Sequence, residues 1–144
     1  MITVVQINTE QELEQAFQIR EKVYIEEQQI DREDEFDAYD EEAEHFLAKE
    51  GDKPCGTARY RHTDEGIKLE RFATLPGFRR RGVASLLMHT MLEHIQISGL
   101  SDKKVYLSAQ VDAMPLYTKF GFKPEGERFM ECNIEHQKMV WHKD

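Results

Sequence analysis

Three arginines stand together in Leu75-Pro76-Gly77-Phe78-Arg79-Arg80-Arg81-Gly82-Val83-Ala84, between a β-prone run and an amphipathic one. A strand-to-helix turn presents unpaired N–H groups and the positive end of a helix dipole, which together attract an anion such as a pyrophosphate. Gly82 would let the main chain come close to that ligand. The same residues also suit an ordinary capped turn with solvated arginines, and the local physics does not separate the two. Neither G-x-x-x-x-G-K-[ST] nor G-x-G-x-x-G occurs, which demotes nucleotide hydrolysis and hydride transfer. Six histidines are scattered, and His89 and His94, five apart, do not share a helix face, so no metal site is expected. Cys55, in a β-prone run, reads as a small buried hydrophobe. His45 and His136 read as satisfied structural groups, with His136 able to border a pocket.

The elements that must position this turn follow from periodicity. Ile2 to Ile7 is β-prone, and Thr9 with Glu12 offers a capping box for a helix over 9–25, carried by Leu13, Ala16, Phe17, Arg20 and Tyr24. An acidic stretch without a clear period follows, read as a loop with at most one helical turn. Runs at 45–49, 56–62 and 67–75, separated by Gly/Pro/Asp turns, predict a three-stranded antiparallel meander. Val83, Leu86, Leu87, Met91 and Ile95 share one face of a second helix that ends near Ser98-Gly99. Val105 to Ala109 is a compact strand, Asp112 is placed to cap a short helix through Phe120, Gly121 closes it, and 122–141 predicts two more strands. The fold class expected is α/β (α+β), with a mixed, mostly antiparallel central sheet and flanking helices, in one domain spanning 1–144.

Composition narrows the setting. Two isolated cysteines, Cys55 and Cys132, indicate neither a disulfide framework nor a zinc site, and a reducing compartment is expected. No apolar run approaches the ~20 residues needed to span a bilayer, and no leader pattern opens the chain, so the protein is expected to be cytoplasmic, with no membrane partner. A net charge of −9 argues against nucleic-acid binding. Between Asp31 and Glu44 nine acids meet one base, so this segment holds nearly all of that charge.

Arg79-x-x-Gly82-x-Ala84 resembles the R-x-x-G-x-A turn of the GNAT superfamily of acetyl-CoA-dependent N-acetyltransferases. The flanking pieces fall in the family's order along nearly the whole chain. Leu69 to Pro76 is similar to its fourth strand, Leu107-Ser108-Ala109-Gln110 to its fifth, and Leu116-Tyr117-Thr118-Lys119-Phe120-Gly121-Phe122 to its closing helix. The early Arg20 to Gln28 and the late His136-x-x-Met139 resemble a small bacterial branch.

The resemblance implies a cleft where the fourth and fifth strands splay apart. The pantetheine of acetyl-CoA would lie there, bonded by the backbones of Phe72 and Thr74 around Ala73, with Ser108 and Gln110 across it. The N–H groups of Arg79, Arg80, Arg81, Gly82, Val83 and Ala84 would wrap the pyrophosphate. Many family members carry asparagine where this chain has Ser108. Tyr117 would be the acid that protonates the departing thiolate, staying protonated at neutral pH.

An acceptor amine with an ordinary lysine-like pKa is neutral in only about one molecule in 10³ at pH 7, so a base is needed, and Glu70 and Glu27 are the candidates. The acidic segment lies where the family builds its acceptor wall. Glu27, Gln28, Glu33, Glu35, Asp37 and His136 are therefore expected to bind the acceptor, a cationic small-molecule or peptide amine. A homodimer is left open. Two other functions fit the same residues: a non-catalytic acyl-CoA-binding module, and an acidic protein-interaction module centred on 26–44.

Overall fold

A computed structural model describes residues 1–100 and 102–143. Strand β1 (Ile2–Gln6) leads to α1 (Glu10–Arg20), where Thr9 Oγ1 accepts the Glu12 N–H at 3.2 Å. Glu12 returns its carboxylate to the N–H of Asn8, one residue before the cap, so the box is displaced by one position. Winding continues past Ile25: α1 passes into a π-helical stretch, Glu21–Glu27, closed by the Gln28 N–H on the Val23 carbonyl. Such a widened turn rotates the side chains that follow it and recurs at functional sites.

The acidic segment is more ordered than a loop. It holds α2 (Arg32–Glu35) and a 3-10 turn, Ala38–Glu41, capped by Asp37 Oδ1 on the Tyr39 N–H. Strands β2 (Glu44–Glu50), β3 (Lys53–His62) and β4 (Ile67–Thr74) form the expected meander. Alternation along these strands divides the core. Phe46, Ala48, Ala58 and Tyr60 pack under α3 (Val83–Ile97) through Leu87, Met88, Met91 and Ile95. Leu47 and Ala73 pack on the other face under Ala16, Ile19 and Val23 of α1. Gly56 lets α3 come down onto β3, since a Cβ there would sit 2.5 Å from Val83 Cγ1.

Strand β5 (Val105–Gln110) lies parallel to β4, while every other pairing is antiparallel. The order is β1-β2-β3-β4-β5-β8-β6, with β7 also on β8, so the sheet is mixed and mostly antiparallel, as expected. Two expectations are corrected. The tail forms three strands, β6 (Phe122–Pro124), β7 (Phe129–Glu131) and β8 (Ile134–Trp141), instead of two. Between β7 and β8 the chain turns on Cys132 and Asn133, both at positive φ, a two-residue hairpin without the glycine that usually signals one. Asp112 does not cap α4 (Met114–Lys119): it sits in a 3-10 turn, and Ala113 precedes the helix without a side-chain bond. Pro115, in the first turn, presets the helical φ instead.

Candidate active site

Strands β4 and β5 pair only from Ile67 to Leu69 and from Val105 to Leu107. Beyond that they part, and the cause lies in β4. Between the pairs Arg59–Glu70 and Thr57–Ala73, β4 carries one residue more than β3, and Arg71 takes the left-handed region at φ 61°. An extra residue bends a strand away from its neighbour. A cavity of about 380 Å³ opens over the split, with Tyr24, Phe72, Ser108, Gln110, Tyr117 and His136 in its wall. A second, of about 230 Å³, covers the start of α3, with Thr74, Arg79, Arg80, Gly82 and Leu116 around it. The same two elements contribute to both: β4 gives Phe72 to one and Thr74 to the other, and α4 gives Tyr117 and Leu116.

At the smaller cavity Gly82 precedes α3 at φ 82°, and no side chain caps the helix. Nothing lies within 4 Å of where a Cβ of Gly82 would be. Glycine is thus favoured by the backbone angle, and the first turn of a 15-residue helix keeps uncapped N–H groups beside open space. Val83 and Ala84 line the same space. Arg79 grips Glu27 through both oxygens, at 2.7 and 2.6 Å, and its Nε donates to the Thr74 carbonyl at 2.9 Å. Arg80 is exposed and makes no ion pair among the described residues. Arg81 pairs with Glu50, lies over the Phe78 ring and does not line the cavity.

The acceptor-side charges are arranged differently. Arg59, 1% exposed, donates to Glu70 at 2.8 Å, to both oxygens of Asp37 at 3.0 Å and to Asp40 at 2.5 Å. Arg20, also 1% exposed, bonds Glu35 at 2.8 Å and Asp40 at 2.7 Å. Arg71 reaches Asp37 at 3.1 Å and the carbonyls of Asp34 and Glu35 at 3.2 Å. The acidic segment is therefore no free negative wall: Glu35 and Asp37, though they line the larger cavity, are tied into ion pairs. Glu33 is exposed and lines neither cavity.

These partners set the acidities. Burial opposes ionisation of Asp37, Asp40 and Glu70, but the surrounding arginines, with Lys68 at Glu70, hold all three below the ordinary carboxylate range. Glu35 goes the other way, pushed up by burial against the pull of Arg71 and Arg20. Glu27 lines neither cavity, and the hydrogen bond from Arg79 holds it down.

The remaining expected residues divide similarly. Tyr117 is buried with its ring edge-on to Phe72 at 5.7 Å, and burial pushes its hydroxyl pKa upward. Gln28 accepts from Gln110 at 3.0 Å across the larger cavity. His136 places Nδ1 2.7 Å from the Ile134 carbonyl and stacks on Phe129, so it is satisfied and also borders the cavity. Ala73 lies in the core under α1, away from both cavities. Sequence reasoning missed Tyr24, whose hydroxyl donates to the Phe72 carbonyl, and the cavity-lining Arg61, Lys68 and Arg71. A helical spacing marks Tyr24 only as core, and the three bases converge only once the β3–β4 register is known.

A sheet opened at a parallel pair, with an uncapped helix start beside one cavity and a buried tyrosine lining the other, is the architecture of an acyl-CoA N-acyltransferase. The chain belongs to the GNAT acetyltransferases: the family model described as an acetyltransferase (GNAT) domain matches residues 7–143. It is 35% identical over 132 residues to the N-acetyltransferase YjcF of Bacillus subtilis, covering 91% of this chain and 93% of that protein. Among solved structures, Escherichia coli ElaA superposes with a TM-score of 0.87 at 26% identity, over 99% of this chain and all of the other. An acyl-CoA N-acyltransferase from Pseudomonas aeruginosa gives 0.83 at 25% identity, over 99% of each chain. The protein is thus an acetyl-CoA-dependent acyltransferase. No helix of the described residues is long and apolar enough to cross a membrane.

Proposed function

We propose that the protein transfers the acetyl group of acetyl-CoA to a primary amine that arrives as a cation, acting as one cytoplasmic domain over 1–144. The observation that carries this is the pair of cavities to which β4 and α4 both contribute, one at the uncapped start of α3 and the other over the opened strands. The residues present fit the cofactor. Gly82, Val83 and Ala84 offer backbone N–H groups, Arg80 offers an uncommitted positive charge, and Arg79 becomes available on leaving Glu27. Bound there, acetyl-CoA supplies an activated thioester.

The chain's own groups do the rest. The Thr74 carbonyl accepts from Arg79 Nε and the Phe72 carbonyl from the Tyr24 hydroxyl, and each keeps a second lone pair for a pantetheine amide N–H. Backbone N–H groups freed by the split steady developing negative charge on oxygen. Tyr117, protonated across the neutral range, gives a proton to the leaving sulfur. The ammonium loses its proton to a carboxylate through water, the role expected of Glu70 or Glu27. Arginine holds both as weak bases, and Glu35, though burial raises its pKa, has both oxygens in ion pairs with Arg20 and Arg71. Asp34 and Glu131 line the cavity without an ion pair among the described residues, and they support a cationic acceptor beside Gln28 and His136.

The test is thiol release from acetyl-CoA against polyamines, amino sugars, amino acids and peptides. Release with a primary amine is expected, and none from the whole panel overturns the proposal.

A further inference from the structure

The larger cavity holds a feature that acetyl transfer to a simple amine does not use. Arg61 of β3 and Lys68 of β4 are directly opposite each other in the antiparallel register, and both line the cavity with Arg71. Like charges directly opposite on a sheet are destabilising. The local compensation is one carboxylate: Glu70 accepts from Arg61 Nε at 2.9 Å, lies 3.5 Å from Lys68 Nζ, and is already committed to Arg59. Counting the connected groups, five bases (Arg20, Arg59, Arg61, Lys68 and Arg71) share four acids (Glu35, Asp37, Asp40 and Glu70).

Asp34 and Glu131 line the same cavity outside this network, so the wall as a whole carries no positive surplus; what its three bases keep is unused donors. Arg61 uses only Nε, and its guanidinium is braced 3.8 Å over the Tyr39 ring, so its outer nitrogens carry no hydrogen bond among the described residues. Arg71 spends Nε and Nη2 and leaves Nη1 without one. Among the described residues Lys68 makes no hydrogen bond, only its long ion pair with Glu70. Unused donors on three neighbouring cationic side chains match a planar oxyanion, for which guanidinium groups are well shaped, while Asp34 and Glu131 in the same lining match an ammonium.

Resting on the reading of this cavity as the acceptor site, we infer that the acceptor also carries an anionic group, a carboxylate, which Arg61, Lys68 and Arg71 bind while its amine faces Phe72 and Tyr117. The substrate class is then amino acids or short peptides with a free carboxylate, as opposed to polyamines. Along β4, at ~3.3 Å per residue, Arg71 is adjacent to Phe72 and Lys68 is ~13 Å from it. The wall therefore accommodates acid-to-amine separations from that of an α-amino acid to that of a short peptide.

Two measurements test this. In the first, thiol release is compared for each amino acid or dipeptide and its C-terminal amide, with wild type and Lys68→Gln. Lys68 is a mild site to change, because Glu70 keeps Arg59 and Arg61. The free acids should exceed their amides in kcat/KM by at least about tenfold, the size of one charge-assisted bond. Lys68→Gln should shrink that ratio several-fold, chiefly through KM, whereas a merely structural role would lower both acceptors alike. In the second, N-acetylglycine and its amide are titrated into the CoA-free protein by NMR. The acid should shift the side-chain signals of Arg61, Lys68 and Arg71 and bind at least tenfold tighter than the amide. Equal use of acids and amides, a ratio untouched by Lys68→Gln, or equal binding of the two probes overturns the inference. Carboxylate binding without thiol release from any amine overturns the transferase reading of the cavity and leaves the anion site standing.

Discussion

At the turn before α3 the arginines lie on the surface, and Arg79 and Arg81 are held in pairs that a ligand can replace. Arg79 and Glu27 are 39% and 42% exposed, and pairs of that kind stabilise a fold by about 0–1 kcal/mol. On the acceptor side Arg20 and Arg59 are 1% exposed, and four carboxylates close around them. There, removing one partner strands buried charge at a cost of about 3–5 kcal/mol. The turn keeps its charge exposed, while the buried Arg20 and Arg59 spend theirs on joining the acidic segment to the sheet. The same residue types thus serve binding in one place and architecture in the other, and burial decides which.

The contrast breaks most sharply at Gly82. Gly82→Glu forces a side chain into the left-handed region, at about 1–2 kcal/mol, and puts a carboxylate where the pyrophosphate belongs. Calorimetry should show no CoA binding while circular dichroism shows a folded protein; wild-type affinity would remove the cofactor from this turn. Next in size, Tyr117→Phe should lower kcat by roughly 10²–10⁴-fold with CoA affinity nearly intact. An unchanged kcat would make Tyr117 a core residue only.

Arg59→Met tests the other region, and urea unfolding should show a loss of about 3–5 kcal/mol. Asp37, Asp40 and Glu70 have depressed folded values, so their contribution is present above the ordinary carboxylate range, near pH 4, and is lost as pH falls below it. Glu35 has the opposite sign: its stabilisation is full in acid and fades as pH rises through its elevated folded value. The variant should therefore show a flatter loss of stability on acidification than wild type. Arg79→Gln, by comparison, should shift stability by less than about 1 kcal/mol while weakening CoA binding. A large stability loss would show that the turn is built like the interior.

The smallest effect belongs to Asp34 and Glu131, lining carboxylates without an arginine partner among the described residues. Exposed charges are worth about 0.2–1 kcal/mol each, so Asp34→Asn with Glu131→Gln should raise KM for the amine a few-fold, with little change in kcat. The wild-type KM should climb with ionic strength. Neutralising Glu35 and Asp37 as well would confuse this test, since they support the fold.

The amino-acid sequence by itself determined the meander, the helix under Val83 to Ile95 and the turn at Gly82, because each rests on local periodicity or on one backbone angle that glycine satisfies. It did not determine the hairpin at Cys132-Asn133, where two non-glycine residues hold positive φ, or the start of α4, where no side chain caps the helix. Nor did it show which charges are free. Glu33 and Glu35 look alike in the chain, yet one faces solvent and the other is buried on Arg20. Their difference arises from where α2 is pressed against α1 and the sheet. Arg61, Lys68 and Arg71 form a wall only through the register of β3 on β4 and the extra residue in β4. Local pattern fixes what a segment can become, whereas pairing, burial and acidity depend on partners far along the chain, and only the packed tertiary structure supplies them.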